Sequence, residues 1–166
     1  LSRFYPDDDG DSFGNPAGRI TVCAAPAGYV VDNRDCDDSN DEVFPGAPEL
    51  CNNRDDNCDG IIDLDAVDEQ VFYRDRDGDG FGDVLALTNP ADQSTACFAP
   101  PVGFSPNADD CADNNAEVRP YRSEITANGL DDNCDGFERC YLDGDRDGFG
   151  SDVGGAGTYV PAAFAA

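Results

Sequence analysis

The sequence predicts a small, disulfide-rich and mostly irregular fold, built from tandem loop repeats with short β-strands, single helical turns and little hydrophobic core. Three observations carry this. Bulky apolar residues are scarce under a large negative charge, cysteines come in an even number, and an aspartate-rich pattern recurs along the chain.

Leu, Ile, Val and Phe supply 32 of 166 residues, or 19%, against a formal net charge of −26. Ordering a residue costs roughly 1–2 kcal/mol, and so little apolar burial cannot offset that cost over the whole chain. A large core is excluded, and a plain solvated chain would be the default. Charge-driven nucleic-acid binding is excluded as well, because phosphates require a basic surface. The chain has no His, so no His-based catalytic arrangement can form, and no Lys for isopeptide cross-links. No apolar run reaches the roughly 18 residues of a membrane span. We therefore expect no enzyme, no membrane span, no nucleic-acid partner and no small-molecule substrate.

Two features argue against plain disorder. Asp outnumbers Glu 30 to 6, and the short, stiff Asp side chain suits tight oxygen cages around a hard cation. Eight cysteines occur without any C-x-x-C pair or any His to complete a zinc site, so disulfides in an oxidising compartment are expected. The chain begins at Leu1 rather than Met and shows no signal peptide. It reads as a processed secreted protein or a segment of a longer one, extracellular or at a cell surface.

The repeat orders the elements. FYPDDDGDSFG (Phe4–Gly14) returns as FYRDRDGDGFG (Phe72–Gly82) and as CYLDGDRDGFG (Cys140–Gly150). PAGYVVDNRDCDD matches PPVGFSPNADDCAD, EVFPGAPE matches EVRPYRSE, and DDNCDG occurs at Asp55–Gly60 and Asp131–Gly136. This gives repeat 1 over 1–68, repeat 2 over 69–139, and a partial repeat 3 with an apolar tail over 140–166. Strands are expected at Arg3–Tyr5, Ile20–Cys23, Val71–Arg74 and Tyr141–Leu142. Ser39–Val43 and Asn114–Val118 are expected as single helical turns, stopped by Pro45 and Pro120.

The strongest chemical signal is D-x-D-x-D beside a glycine. Alternate carboxylates at positions 1, 3 and 5 converge on one cation, a glycine at position 6 permits the sharp turn, and the position-7 carbonyl adds a ligand. The first type of loop holds Asp7, Asp9, Asp11 and Phe13; then Asp75, Asp77, Asp79, Phe81 and, at position 9, Asp83; then Asp143, Asp145, Asp147 and Phe149. Ser12 takes position 6 in the first of these. The second type is DDNCDG: Asp55, Asn57, Asp59 and Asp63, then Asp131, Asn133 and Asp135, a weaker copy because Arg139 stands where Asp63 stood. A third set is Asp35, Asp37, Asp38 and Asn40 closed by Glu49, with Asp110, Asp113, Asn115 and Glu124 as counterparts. These are not EF-hands, since position 12 never supplies Glu and no helices flank the loops. The missing ligand must come from elsewhere in the repeat, tying loop to loop. Asp68, in the LDAVDEQ linker, lies outside any loop phase.

FYRDRDGDGFGD, a Cys, P-x-G-Y/F, DCDD, PGAPE and DDNCDG together resemble the metal-binding repeat of bacterial surface and secreted proteins. The loops are also similar to those of thrombospondin type 3 repeats and dockerins. The resemblance implies calcium-loop tandem repeats, an extracellular location and a spacer or accessory role. Repeat counting suggests about five to seven Ca²⁺. One branch of the family is associated with copper, which prefers imidazole, thioether or thiolate ligands; the chain has no His or Met.

Eight cysteines allow 105 pairings. Cys51 has no counterpart in repeat 2, which instead has Cys140. The simplest account pairs Cys51–Cys58 and Cys134–Cys140, leaving Cys23–Cys36 and Cys97–Cys111. The expected function is a calcium-stabilised structural segment of a cell-surface stalk or filament; the alternative is an accessory calcium-binding or docking module of a larger secreted enzyme or adhesin. The uncharged tail Thr158–Ala166 suggests head-to-tail self-association.

Overall fold

The computed structural model describes residues 1–141 and the backbone of Thr158–Pro161. The chain divides into two units, Leu1–Gln70 and Val71–Ala166. In the first, strands β1 (Ser2–Pro6), β2 (Ile20–Val22) and β3 (Tyr29–Val30) form an antiparallel sheet in the order β2-β1-β3. The second repeats it with β4 (Gln70–Arg74), β5 (Gln93–Ala96) and β6 (Phe104–Ser105), in the order β5-β4-β6. A two-stranded ribbon follows, in which β7 (Phe137–Cys140) pairs antiparallel with β8 (Thr158–Pro161).

The expected strands at Arg3–Tyr5 and Val71–Arg74 lie within β1 and β4, and the one at Ile20–Cys23 runs a residue past the end of β2. The fourth, Tyr141–Leu142, falls earlier than expected: β7 stops at Cys140, Tyr141 is outside it, and Leu142 lies outside the described residues. The expected helical turns are successive tight turns rather than helix. Asn40 N and Val43 N donate to Asp37 O and Asn40 O, at 3.0 and 2.9 Å, and the bonds stop there. Three short 3₁₀ turns form instead at Pro16–Gly18, Val84–Thr88 and Pro90–Asp92. Two of them follow an Asn-Pro pair, in which Asn15 or Asn89 caps the turn and Pro starts it.

The core is small and repeats itself. Phe4 and Phe72 are buried at matching places in β1 and β4, and Val43 and Val118 at matching places in the central turns. Phe13 stacks on Phe44 at 5.8 Å between ring centroids, and Phe81 meets Tyr121 at 6.1 Å. Gly82 lies so close to its neighbours that a Cβ there would stand 2.6 Å from the Asn107 carbonyl oxygen and 2.7 Å from Tyr73 Cβ. Backbone cannot yield as a side-chain tip can, so Gly82→Ala should cost about 1–3 kcal/mol. A thermal melt checks this, and an unchanged midpoint contradicts the packing.

All four expected disulfide pairs are corrected. Cys36 bonds Cys58, and Cys111 bonds Cys134. Cys51 and Cys97 are also disulfide-bonded, whereas Cys23 and Cys140 are free thiols. Counting short loops misled the pairing because proximity is set by the turns of the repeat. Cys58 and Cys134 sit fourth in DDNCDG in the left-handed region, each at φ 58°. That turn presents them to the cysteine that follows Asp35 or Asp110.

Candidate metal centre

The sheets deliver the acidic loops to the segments that complete them. Tyr5 pairs with Val30 and Pro6 with Tyr29, setting Asp7–Asp11 beside the chain that runs into Asp35–Asp38. In the second unit Tyr73 pairs with Ser105 and Arg74 with Phe104. Asp110 is further pinned through its backbone: its N–H donates to Gly82 O at 2.9 Å and its carbonyl accepts from Val84 N at 2.8 Å.

The result is a composite cluster in each unit. Ligand oxygens of Asp7, Asp9 and Asp11 lie within 4.8 Å of one another, as do those of Asp9, Asp35 and Asp38. In the second unit the groups are Asp75, Asp77 and Asp79, and Asp77, Asp110 and Asp113. Asp9 and Asp77 belong to both groups of their unit, so the first and third sets of carboxylates read from the sequence join around one shared residue.

The orientation of the oxygens is equally regular. Phe13 N donates to Asp11 Oδ1 at 2.7 Å, Asp11 N to Asp9 Oδ1 at 3.2 Å, and Asp37 N to Asp35 Oδ1 at 2.8 Å. The same bonds recur from Phe81 to Asp79, Asp79 to Asp77 and Ala112 to Asp110. Each turn fixes one oxygen and leaves the other buried without a partner: Oδ2 of Asp9, Asp11 and Asp35, and Oδ2 of Asp77, Asp79 and Asp110. Asp35 and Asp110 are 4% and 0% exposed. A buried carboxylate oxygen with no donor is costly, and a hard cation with several oxygen ligands satisfies such a set. The donors present therefore fit a metal ion.

Position 6 needs the left-handed backbone. Gly80 sits at φ 95°, while Ser12 takes up φ 82° despite its side chain. The other residues read as ligands make hydrogen bonds within the turns. Asp37 Oδ1 accepts from Ser39 Oγ at 2.6 Å, and Asn40 and Asn115 accept from Glu42 N and Glu117 N. Asp83 Oδ1 caps the turn at Val84–Thr88. Glu49 is not grouped with Asp35 and Asp38; its two oxygens accept from Asn57 N at 2.7 Å and Asp63 N at 3.0 Å, clasping the DDNCDG loop. Glu124 accepts from Asn133 N at 3.0 Å, and its Oε2 is buried without a partner.

The DDNCDG loops close on themselves. Asp55 accepts from Asp59 N and Gly60 N, and Asp131 from Asp135 N and Gly136 N. Asn57 and Asn133 accept from Asp59 N and Asp135 N, and Asp59 and Asp135 from Ile61 N and Phe137 N. Asp63 accepts from Asn52 N and Asn53 N, at 3.0 Å each. Asp143, Asp145, Asp147 and Phe149 lie outside the described residues.

Sequence reasoning missed Asp56 and Asp132, both buried. Asp56 Oδ2 accepts from Leu50 N and Asn52 Nδ2, and Asp132 from Ile125 N and Asn128 Nδ2. Their place in both DDNCDG copies was the available signal. Asp68 is not idle either: it accepts from Cys51 N at 2.7 Å.

A family model of a metal-binding motif, named for copper binding in MopE, matches residues 35–63 and again 110–138. The chain is similar to this metal-binding motif at two places. No curated protein and no solved structure matches the chain. Each copy of the motif contains the Asp35–Asp38 or Asp110–Asp113 half of the composite cluster and the DDNCDG loop, joined by a disulfide. The grouping of Asp110 with Cys111 and Cys134 offers no thiolates, because those sulfurs are bonded to each other.

Without a cation, Asp11, Asp35, Asp79, Asp110 and Asp113 resist ionisation. Burial, with the neighbouring Asp79, Asp77 and Asp113 charges, pushes Asp110 up to about 6, against the opposing hydrogen bond from Ala112. Burial also raises Asp11, Asp35, Asp79 and Asp113. A carboxyl raised in the folded state keeps its proton after the unfolded chain has released it, so rising pH favours unfolding. The metal-free protein should lose stability as pH climbs from about 4 through about 6. Melting in chelator across this range checks it, and a midpoint that rises with pH contradicts it.

Proposed function

We propose that the chain is a calcium-binding structural module of an extracellular repeat protein. The observation that carries this reading is the trio of buried, unpartnered carboxylate oxygens, repeated in the same turns of both units. Hard oxygen donors favour Ca²⁺ over copper, and the absence of His and Met removes copper's preferred ligands. Asp7, Asp9, Asp11, Asp35 and Asp38 would hold one ion, and Asp75, Asp77, Asp79, Asp110 and Asp113 another. The third acidic loop and the DDNCDG loops would raise the count towards the five to seven that the repeats suggest. The disulfides support an oxidising, extracellular setting, and no helix among the described residues is long and apolar enough to cross a membrane.

The role is non-enzymatic: the cations stand in for the core the sequence lacks and hold the repeat rigid. Such a module suits a stalk or filament. In the tail, β8 pairs with β7 of its own chain, and head-to-tail assembly would build on the ribbon they form. Deleting Val160–Ala166 and sizing the protein by light scattering tests that part.

Isothermal titration with Ca²⁺, and separately with Cu²⁺, tests the metal. Saturable Ca²⁺ binding that Asp9→Asn and Asp77→Asn each reduce supports the reading. Binding of Cu²⁺ alone, or of neither ion, overturns it.

A further inference from the structure

The two composite clusters match turn for turn, but the position that hydrogen-bonds Asp38 or Asp113 differs in sign; the other sign difference beside them, Arg34 against Asp109, places an arginine in the first unit that is already paired with Asp32 at 2.8 Å. In the first unit Asp8 donates its backbone N–H to Asp38 Oδ1 at 2.9 Å. At the same place in the second unit Arg76 donates its N–H to Asp113 Oδ1 at 2.8 Å. Its guanidinium then returns to the same carboxylate, with Nη1 2.6 Å from Asp113 Oδ2. Nη1 also meets Asp83 Oδ2 at 2.9 Å, and Nη2 meets Asp92 Oδ1 at 2.8 Å. Both oxygens of Asp113 are thus engaged by one residue, and Asp113 is only 7% exposed. Among the described residues Asp38 has no such partner: the side chain at the matching position is the exposed carboxylate of Asp8.

We propose that Arg76 is a built-in counter-cation that ranks the two sites, so that the first unit binds its divalent ion tightly and the second only at higher concentration. The inference rests on the cation-binding reading above. In the second unit an arriving ion must share Asp113 with a guanidinium already hydrogen-bonded to it and is repelled by that positive charge. In the first unit the same ion meets five carboxylates with a sixth, Asp8, beside them. A unit charge a few ångströms from a divalent ion shifts affinity by about tenfold or more, even at a partly solvated site. The same ion pairs serve the metal-free state, because Arg76 neutralises part of the repulsion among the carboxylates of the second unit. The second unit thereby tolerates low calcium better while responding to a higher range of it.

Calcium titration of the whole chain, followed by calorimetry, tests the ranking. Asp9→Asn removes the first-unit site and should leave the weaker step; Asp77→Asn should leave the stronger one. Arg76→Asp should tighten the weaker step by about tenfold or more, and Asp8→Arg should loosen the stronger one. Arg76→Gln keeps a hydrogen-bonding side chain without the charge, and it should shift the weaker step in the same direction if Arg76→Asp fails to fold. Two steps of equal affinity in the parent, or a weaker step that neither Arg76 variant tightens, overturn the ranking while leaving cation binding intact. A parent chain that takes up no calcium overturns the underlying reading as well.

Discussion

In excess chelator the chain should lose most of its protease resistance and its circular-dichroism signature, and should regain both when calcium is restored. Each unit packs five carboxylates into one cluster, and the chain has a net charge of −26. Burial already holds Asp110, Asp35, Asp79 and Asp11 above the usual carboxylate range, so the metal-free fold works against its own charge. A ligand present at a hundred times its dissociation constant stabilises by about 2.7 kcal/mol per site. Two such sites contribute about 5 kcal/mol, comparable to the whole stability of many domains. Asp77→Ala should reproduce part of the effect, because Asp77 belongs to both groups of its cluster. Asp41, exposed in a turn, is a better control than Asp68, which holds Cys51 N. A chain that stays protease-resistant in chelator, or an Asp77→Ala melt equal to that of Asp41→Ala, contradicts this account.

The sequence made the acidic loops legible because their ligands follow one another in the chain. Asp7, Asp9 and Asp11 need only a local turn to converge, and D-x-D-x-D beside Gly encodes that turn. It also showed that something outside the loop must complete the site. The identity of the closing group was harder, because it depends on sheet register: β3 and β6 are two residues long, and their pairing brings Asp35 and Asp110 in. The hydrogen bonds of Glu49 were hidden for a related reason. A Glu near an acidic set resembles a bidentate ligand, and only the folded chain shows its two oxygens clasping Asn57 N and Asp63 N. Arg76 was invisible as part of a site, since an Arg between two Asp residues reads as surface charge until its guanidinium is seen against Asp113. The cysteine pairs failed on the same ground: spacing along the chain is a poor guide where turns, not helices or long strands, set proximity.

Removing one repeat disulfide should lower both stability and cation affinity in its own unit. Cys36–Cys58 and Cys111–Cys134 close separations of 22 and 23 residues, for which the chain-entropy model gives about 3 kcal/mol each. Their position adds a second effect. Cys36 follows Asp35 and Cys111 follows Asp110, the most deeply buried carboxylates of the two clusters. Each bond ties that carboxylate's segment to a DDNCDG loop that is itself closed by Glu49 or Glu124. Without the bond, a cation must order the segment as it binds, and that entropy is subtracted from its affinity. Replacing Cys111 and Cys134 together by Ser should therefore lower the melting midpoint and weaken the calcium step that Asp77→Asn abolishes, leaving the step abolished by Asp9→Asn in place. Cys23→Ser should change neither quantity, because that thiol is free and exposed. If the double Ser variant binds calcium as tightly as the parent, the disulfide acts on the fold alone and does not hold Asp110 ready for a metal.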